Sequence, residues 1–140
     1  MTEAISSFGT LLKMGNGATT EVFSTIAEVL DIDGPDLSLS TEEVTNHGST
    51  GGWEEHIGTI LSGGEVSFEI NYVPTAPTQA ALITAMTTRD VTNFQVIYPN
   101  AGSDGFGFAA LVTGFKSKAP VKGKLAADVK FKITGPVSIL

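Results

Sequence analysis

Apolar and polar residues alternate with a period of two along most of the chain. From Lys124 to Thr134, Leu125, Ala127, Val129, Phe131 and Ile133 fall on one side, and Ala126, Asp128, Lys130 and Lys132 on the other. That is the pattern of a strand with one wet face. Gly135-Pro136 is expected to end it, because proline cannot donate to a ladder. Glu65 to Val73 repeats the pattern, with Val66, Phe68, Ile70 and Tyr72 opposed to Ser67, Glu69 and Asn71. Asn93 to Tyr98 does so with Phe94, Val96 and Tyr98. Phe106 to Lys116 reads as a longer, nearly apolar strand running to a turn near Ala119-Pro120. Thr10 to Met14 and Glu21 to Asp31 are two further candidates, the second with Val22, Ser24, Ile26, Glu28 and Leu30 along one side.

Two stretches depart from this period. In Thr78 to Thr88, Ala81, Leu82, Ala85 and Met86 recur at helical spacing, with Pro77 at the start, Thr78 as the expected cap and Arg89-Asp90 beyond the end. Residues 32–64 show weak periodicity and are acidic and rich in Gly, Ser and Thr, so they are expected to be a long mobile loop. Trp53 and Ile57 lie within it, four apart. The predicted fold is mainly β: a β-sandwich or flattened barrel of six to seven strands with one flanking α-helix, in a single domain over residues 1–140.

Composition narrows the function classes. Of 140 residues, 41% are hydrophobic and 16% charged, a balance that folds rather than staying disordered. Cysteine is absent, which removes disulfides, thiolate catalysis and Cys-based zinc sites. The longest apolar run, Phe108 to Val112, is five residues against about twenty for a membrane span. The first twelve residues hold no Lys or Arg, so neither a targeting segment nor a membrane partner is expected.

The net charge of −7 argues against a nucleic-acid grip, and it is an average over unlike parts. Residues 1–69 hold twelve acids and one base, a net of −11; residues 70–115 are at −1; residues 116–140 hold six lysines and one aspartate, a net of +5. Such asymmetry marks an interaction surface.

The candidate chemistry fails on inspection. His47 and His56 are nine apart and fit no zinc spacing. In DIDGPD, Asp31, Asp33 and Asp36 miss the calcium-loop pattern because Gly34 comes too early, with Pro35 behind it. GSTGG at 48–52 lacks the lysine of a phosphate loop. Gly105, Gly107 and Ala110 mimic part of a dinucleotide fingerprint, but a strand follows them, not a helix. Glu42-Glu43 and Glu54-Glu55 are adjacent pairs whose side chains point apart. No catalytic, cofactor-binding or metal residue is expected, and weight shifts to assembly, since strand edges must be covered, charged or paired.

The run VTNHGSTGGWEEHIGTILSGGEVSFEINYVP resembles a segment of the major tail tube proteins of phages with long, non-contractile, siphovirus-type tails. Its marks are Thr45 and Ser49, then Gly63-Gly64, Val66-Ser67-Phe68, and Tyr72 with Pro74. The helix, the strand Asn93 to Pro99, Gly114-Phe115 to Pro120, and Val129 to Val137 resemble the family in order and spacing, so the likeness runs from about residue 8 to the end.

The resemblance implies a tail-tube fold and a structural virion protein, not an enzyme, made in the host cytoplasm and located in the virion tail. It implies homo-hexameric rings stacked into the conduit for DNA ejection, with DNA passing through without specific binding. Tape-measure, baseplate and tail-terminator proteins are the implied partners. On this reading Glu65, Ser67, Glu69 and Asn71 face the lumen. Glu42, Glu43, Trp53, Glu54 and Glu55 lie on an inter-ring loop. Lys116, Lys118, Lys122, Lys124, Lys130 and Lys132 form a basic assembly face. An acidic bore would repel the DNA backbone and keep transit fast. The alternative is a monomeric β-sandwich binding module, carbohydrate-binding or adhesin-like, which needs an exposed aromatic platform.

Overall fold

The computed structural model describes residues 2–140. Nine strands and one α-helix follow in order: β1 Leu11–Gly15, β2 Phe23–Thr25, β3 Val29–Asp33, β4 Ser38–Glu43, β5 His56–Ser62, β6 Glu65–Asn71, α1 Pro77–Thr88, β7 Thr92–Ile97, β8 Gly105–Lys118 and β9 Ala126–Ile139. Seven strands form one antiparallel sheet in the order β2-β1-β7-β8-β9-β6-β3. The other two, β4 and β5, pair only with each other.

Chain connectivity forces the large sheet to curl. β2 and β3 lie on its opposite edges, yet only Ile26, Ala27 and Glu28 join them. Laid flat, edges six strand spacings apart would be roughly 29 Å from one another. A three-residue link reaches about 14 Å. The sheet therefore bends round into a flattened barrel. Glu21 to Asp31 is accordingly two strands and not the single one its alternation suggested. Glu28 sits at φ 53°, a turn conformation that a continuous strand excludes.

The alternating apolar positions fill the inside of the curl. Val66, Phe68 and Ile70 of β6, Phe94 and Val96 of β7, and Ala127, Val129, Phe131 and Ile133 of β9 are all buried. Phe131 stacks on Phe94 at 4.0 Å between ring centroids and meets the edge of Phe68 at 5.1 Å. Helix α1 joins β6 to β7 across two intervening strands and packs Leu82 and Ala85 into this core. Its cap is not Thr78. Ala76 holds that position with Pro77 next, and the Thr78 hydroxyl instead accepts the Ala27 N–H at 3.1 Å. Arg89 ends the helix in the left-handed region at φ 60°.

Gly135-Pro136 does not stop β9. Thr134 pairs with Ala109 and Val137 with Phe108, so the two residues between them bulge out of the ladder and pairing resumes beyond. The missing proline N–H costs nothing at a position that no partner faces.

Candidate assembly surface

The stretch expected to be loop carries the β4–β5 hairpin, an arm that leaves the body. None of residues 38–62 is buried. The arm's apolar side chains are open to solvent: Leu39 is 55% exposed, Ile60 71% and Leu61 80%. A lone two-stranded hairpin is marginal in water. Its exposed apolar side chains have the character of an interaction surface. At its root Leu37, Leu39 and Leu61 form an apolar cleft with Pro136 and Val137 of β9.

Local bonds order the arm's tip. The Val44 N–H donates to the Glu55 carbonyl at 2.8 Å, and the Glu55 N–H to the Thr45 hydroxyl at 2.8 Å. The Ser49 hydroxyl accepts the Asn46 N–H and donates to the Glu55 carboxylate at 2.7 Å. Glu55 is thus tied to the tip by Ser49 and Thr45 while remaining exposed, as are Glu42, Glu43, Glu54 and Trp53, the last by 77%. His56 lies 3.4 Å from the Glu54 carboxylate.

The outward face of the large sheet gathers charges that lie far apart in sequence. Glu65, Ser67, Glu69 and Asn71 share one side of β6, opposite the buried Val66, Phe68 and Ile70. The ladder sets Glu65 opposite Lys132, Ser67 opposite Lys130, and Glu69 opposite Asp128. From β8, Lys116 pairs across from Asp128, and the Lys118 ammonium reaches both the Asp128 carboxylate, at 3.3 Å, and the Glu69 carboxylate, at 3.6 Å. The hydrogen bond to Asp128 holds the Lys118 pKa above its ordinary value.

The lysines expected on a basic face therefore lie beside the acids expected at the lumen. Lys116, Lys118, Lys130 and Lys132 lie among Glu65, Glu69 and Asp128, and only Lys122 and Lys124 stand apart, in the exposed β8–β9 turn. The reason is the antiparallel register: β9 returns beside β6, and their polar positions fall on the same side.

The tyrosines form no platform. Tyr72 meets the edge of Phe115 at 5.2 Å, and Tyr98 that of Phe106 at 6.2 Å. Among the described residues, no three His, Asp or Glu side chains converge as a metal site, and no helix is long and apolar enough to cross a membrane.

The family profile of the lambda phage tail tube protein matches residues 9–139. The chain belongs to this family. As a tail tube protein it is a structural component of a virion tail. Its fold is similar to that in the tail of an empty gene transfer agent particle with C6 symmetry, with a TM-score of 0.79 at 21% identity, covering 98% of this chain and 99% of that one. It is similar to the SPP1 tail tube, with a TM-score of 0.68 at 11% identity over 93% of this chain and 75% of that one. A contractile injection system's sheath-tube complex also matches, at 0.71 and 10% identity over 100% of this chain and 93% of that one. Among curated proteins, none matches significantly.

Sequence reasoning picked out Trp53 and Ile57 but missed Leu39, Ile60 and Leu61 in this tail tube protein. Leu39 and Leu61 are direct cross-strand partners, but the register shifts between Leu39 and Thr41. That irregularity breaks the period of two, so Ile57, Ile60 and Leu61 do not alternate as a strand's face should.

Proposed function

We propose that the chain forms hexameric rings that stack into the tail tube, the conduit for DNA, with no catalytic step. The exposed apolar arm is the observation that carries this reading. A hairpin with no fully buried residue is explained by a neighbour that covers it, and stacked rings supply one. The C6 symmetry of the similar gene transfer agent tail supports six subunits per ring. Baseplate and terminator partners follow from similar tube proteins solved in a baseplate and in a sheath/tube terminator. A tape-measure partner follows from the need to set the tube's length.

The lumen reading keeps Glu65, Ser67, Glu69 and Asn71 but changes its chemistry. The face they share holds three acids and four lysines, so the bore is compensated and not acidic. Each lysine near a carboxylate is less free to grip a phosphate, which serves transit as repulsion would.

The test is electron microscopy of the concentrated protein beside a variant lacking residues 42–56. Thr41 pairs with Gly58, so the cut joins neighbouring chain ends and leaves the core intact. Full-length chains should form six-fold rings and tubes, and the shortened ones a folded subunit that does not polymerise. Tubes of normal length from the shortened chain would overturn the reading.

A further inference from the structure

The segments that leave the two ends of the β6–β9 pair carry opposite charge. These strands run in register from Glu65 opposite Lys132 to Asn71 opposite Ala126. The arm departs at the Glu65 end, where the Ile133 N–H donates to the Gly64 carbonyl at 3.1 Å. The β8–β9 turn lies at the Asn71 end, where the Tyr72 N–H donates to the Leu125 carbonyl at 3.1 Å. Seven residues of strand put the two ends about 20 Å apart.

Residues 38–62 hold four glutamates and no lysine or arginine, whereas residues 116–125 hold four lysines and no acid. Lys122 and Lys124 are exposed, and among the described residues neither makes an ion pair. Val121 beside them is fully exposed, an apolar contact for an arm whose own apolar side chains are uncovered.

We propose that the acidic β4–β5 arm of one copy seats on the lysine-bearing β8–β9 turn of a copy in the next ring. The occupant is a second copy because the charges match and the apolar parts of both surfaces lack cover. Arm-to-arm pairing would set four glutamates against four and is repelled. Arm-to-turn contact is heterologous, so it does not close on itself and can propagate from ring to ring. It runs through Lys122 and Lys124, because Lys118 is already held by Asp128 and Glu69. The contact rests on the stacking reading and names the site that receives the arm.

A charge swap in the full chain tests it, read by sedimentation and electron microscopy. Lys122→Glu with Lys124→Glu should reduce tube mass more than tenfold while leaving the fold unchanged by circular dichroism. Glu42→Lys with Glu54→Lys should do the same. All four substitutions together should restore tubes, because the charges at these four positions are then exchanged across the contact. Tubes like those of the unmodified chain from either double variant, or no rescue in the fourfold one, overturn the contact. Those results leave ring stacking itself standing, because stacking is judged separately by whether the unmodified chain forms rings and tubes.

Discussion

Gln79 reaches 52 residues back along the chain to donate its Nε2 hydrogen to the Ala27 carbonyl at 2.8 Å. The same amide donates to the Asn71 carbonyl at 2.9 Å, and its Oε1 accepts the Val73 N–H at 2.8 Å. Ala27 lies in the link that spans the sheet's two edges, so this fully buried side chain ties the seam of the barrel to α1 and the end of β6. Gln79→Leu keeps the volume and removes the side-chain partner of three part-buried backbone groups. It should destabilise the subunit by about 2–3 kcal/mol, because a buried unsatisfied group costs roughly 1–3 kcal/mol and these three are only partly shielded from water. Urea unfolding of the isolated subunit measures this, and a loss under about 1 kcal/mol would contradict the role given to Gln79.

Gly105 opens β8 where the chain has no room. A Cβ there would overlap the Val96 carbonyl oxygen, whereas at Gly107 the nearest contact is the Leu140 side chain at 3.4 Å. Gly105→Ala should lower the melting temperature sharply or yield insoluble protein. Gly107→Ala should stay close to the parent. Equal melting curves for the two variants would refute the close approach.

Phe131 anchors the aromatic core through Phe94 and Phe68. Phe131→Ala should cost about 3–5 kcal/mol in chemical denaturation, the range for emptying a large buried ring site. Phe131→Leu should lose less, because it leaves a smaller cavity.

The Lys118 bridge predicts an alkaline dependence. The hydrogen bond from Lys118 to Asp128 raises the ammonium's pKa, so folding favours the protonated form. Its contribution is full below the ordinary lysine value, about 10.4, and fades as pH climbs through the raised one. Lys118→Met should therefore show a small melting deficit that is constant across neutral pH, shrinks under alkaline conditions and weakens with salt. A deficit that grows with pH would contradict a raised Lys118 pKa.

A compensated bore should turn basic when its acids are neutralised. Glu65→Gln with Glu69→Gln leaves Lys118, Lys130 and Lys132 with fewer carboxylate neighbours. Particles carrying this variant should assemble normally and release DNA more slowly, most visibly at low salt. Unchanged ejection kinetics would remove this sheet face from the bore.

The faces of β6, β7 and β9 were legible because alternation is local: each residue's side of a strand follows from its parity, and the inner side is apolar. Helix α1 was legible for the same reason, at its own period. The arm was not, because its apolar residues find no cover within the subunit, and a register shift hides their parity. Gln79 was invisible as well. A glutamine in a helix carries no sign of the three backbone groups it will meet.

Charge shows the boundary between the two kinds of information most plainly. The sequence by itself determined the strand faces, the helix, the acid-to-base drift along the chain and the family likeness. Only the tertiary structure decided which charges are neighbours. Antiparallel pairing set the lysines of β9 beside the glutamates of β6 and left Lys122 and Lys124 alone at the far end. Pairing between distant strands depends on ladder register and chain closure, and neither is written in the order of residues along one strand.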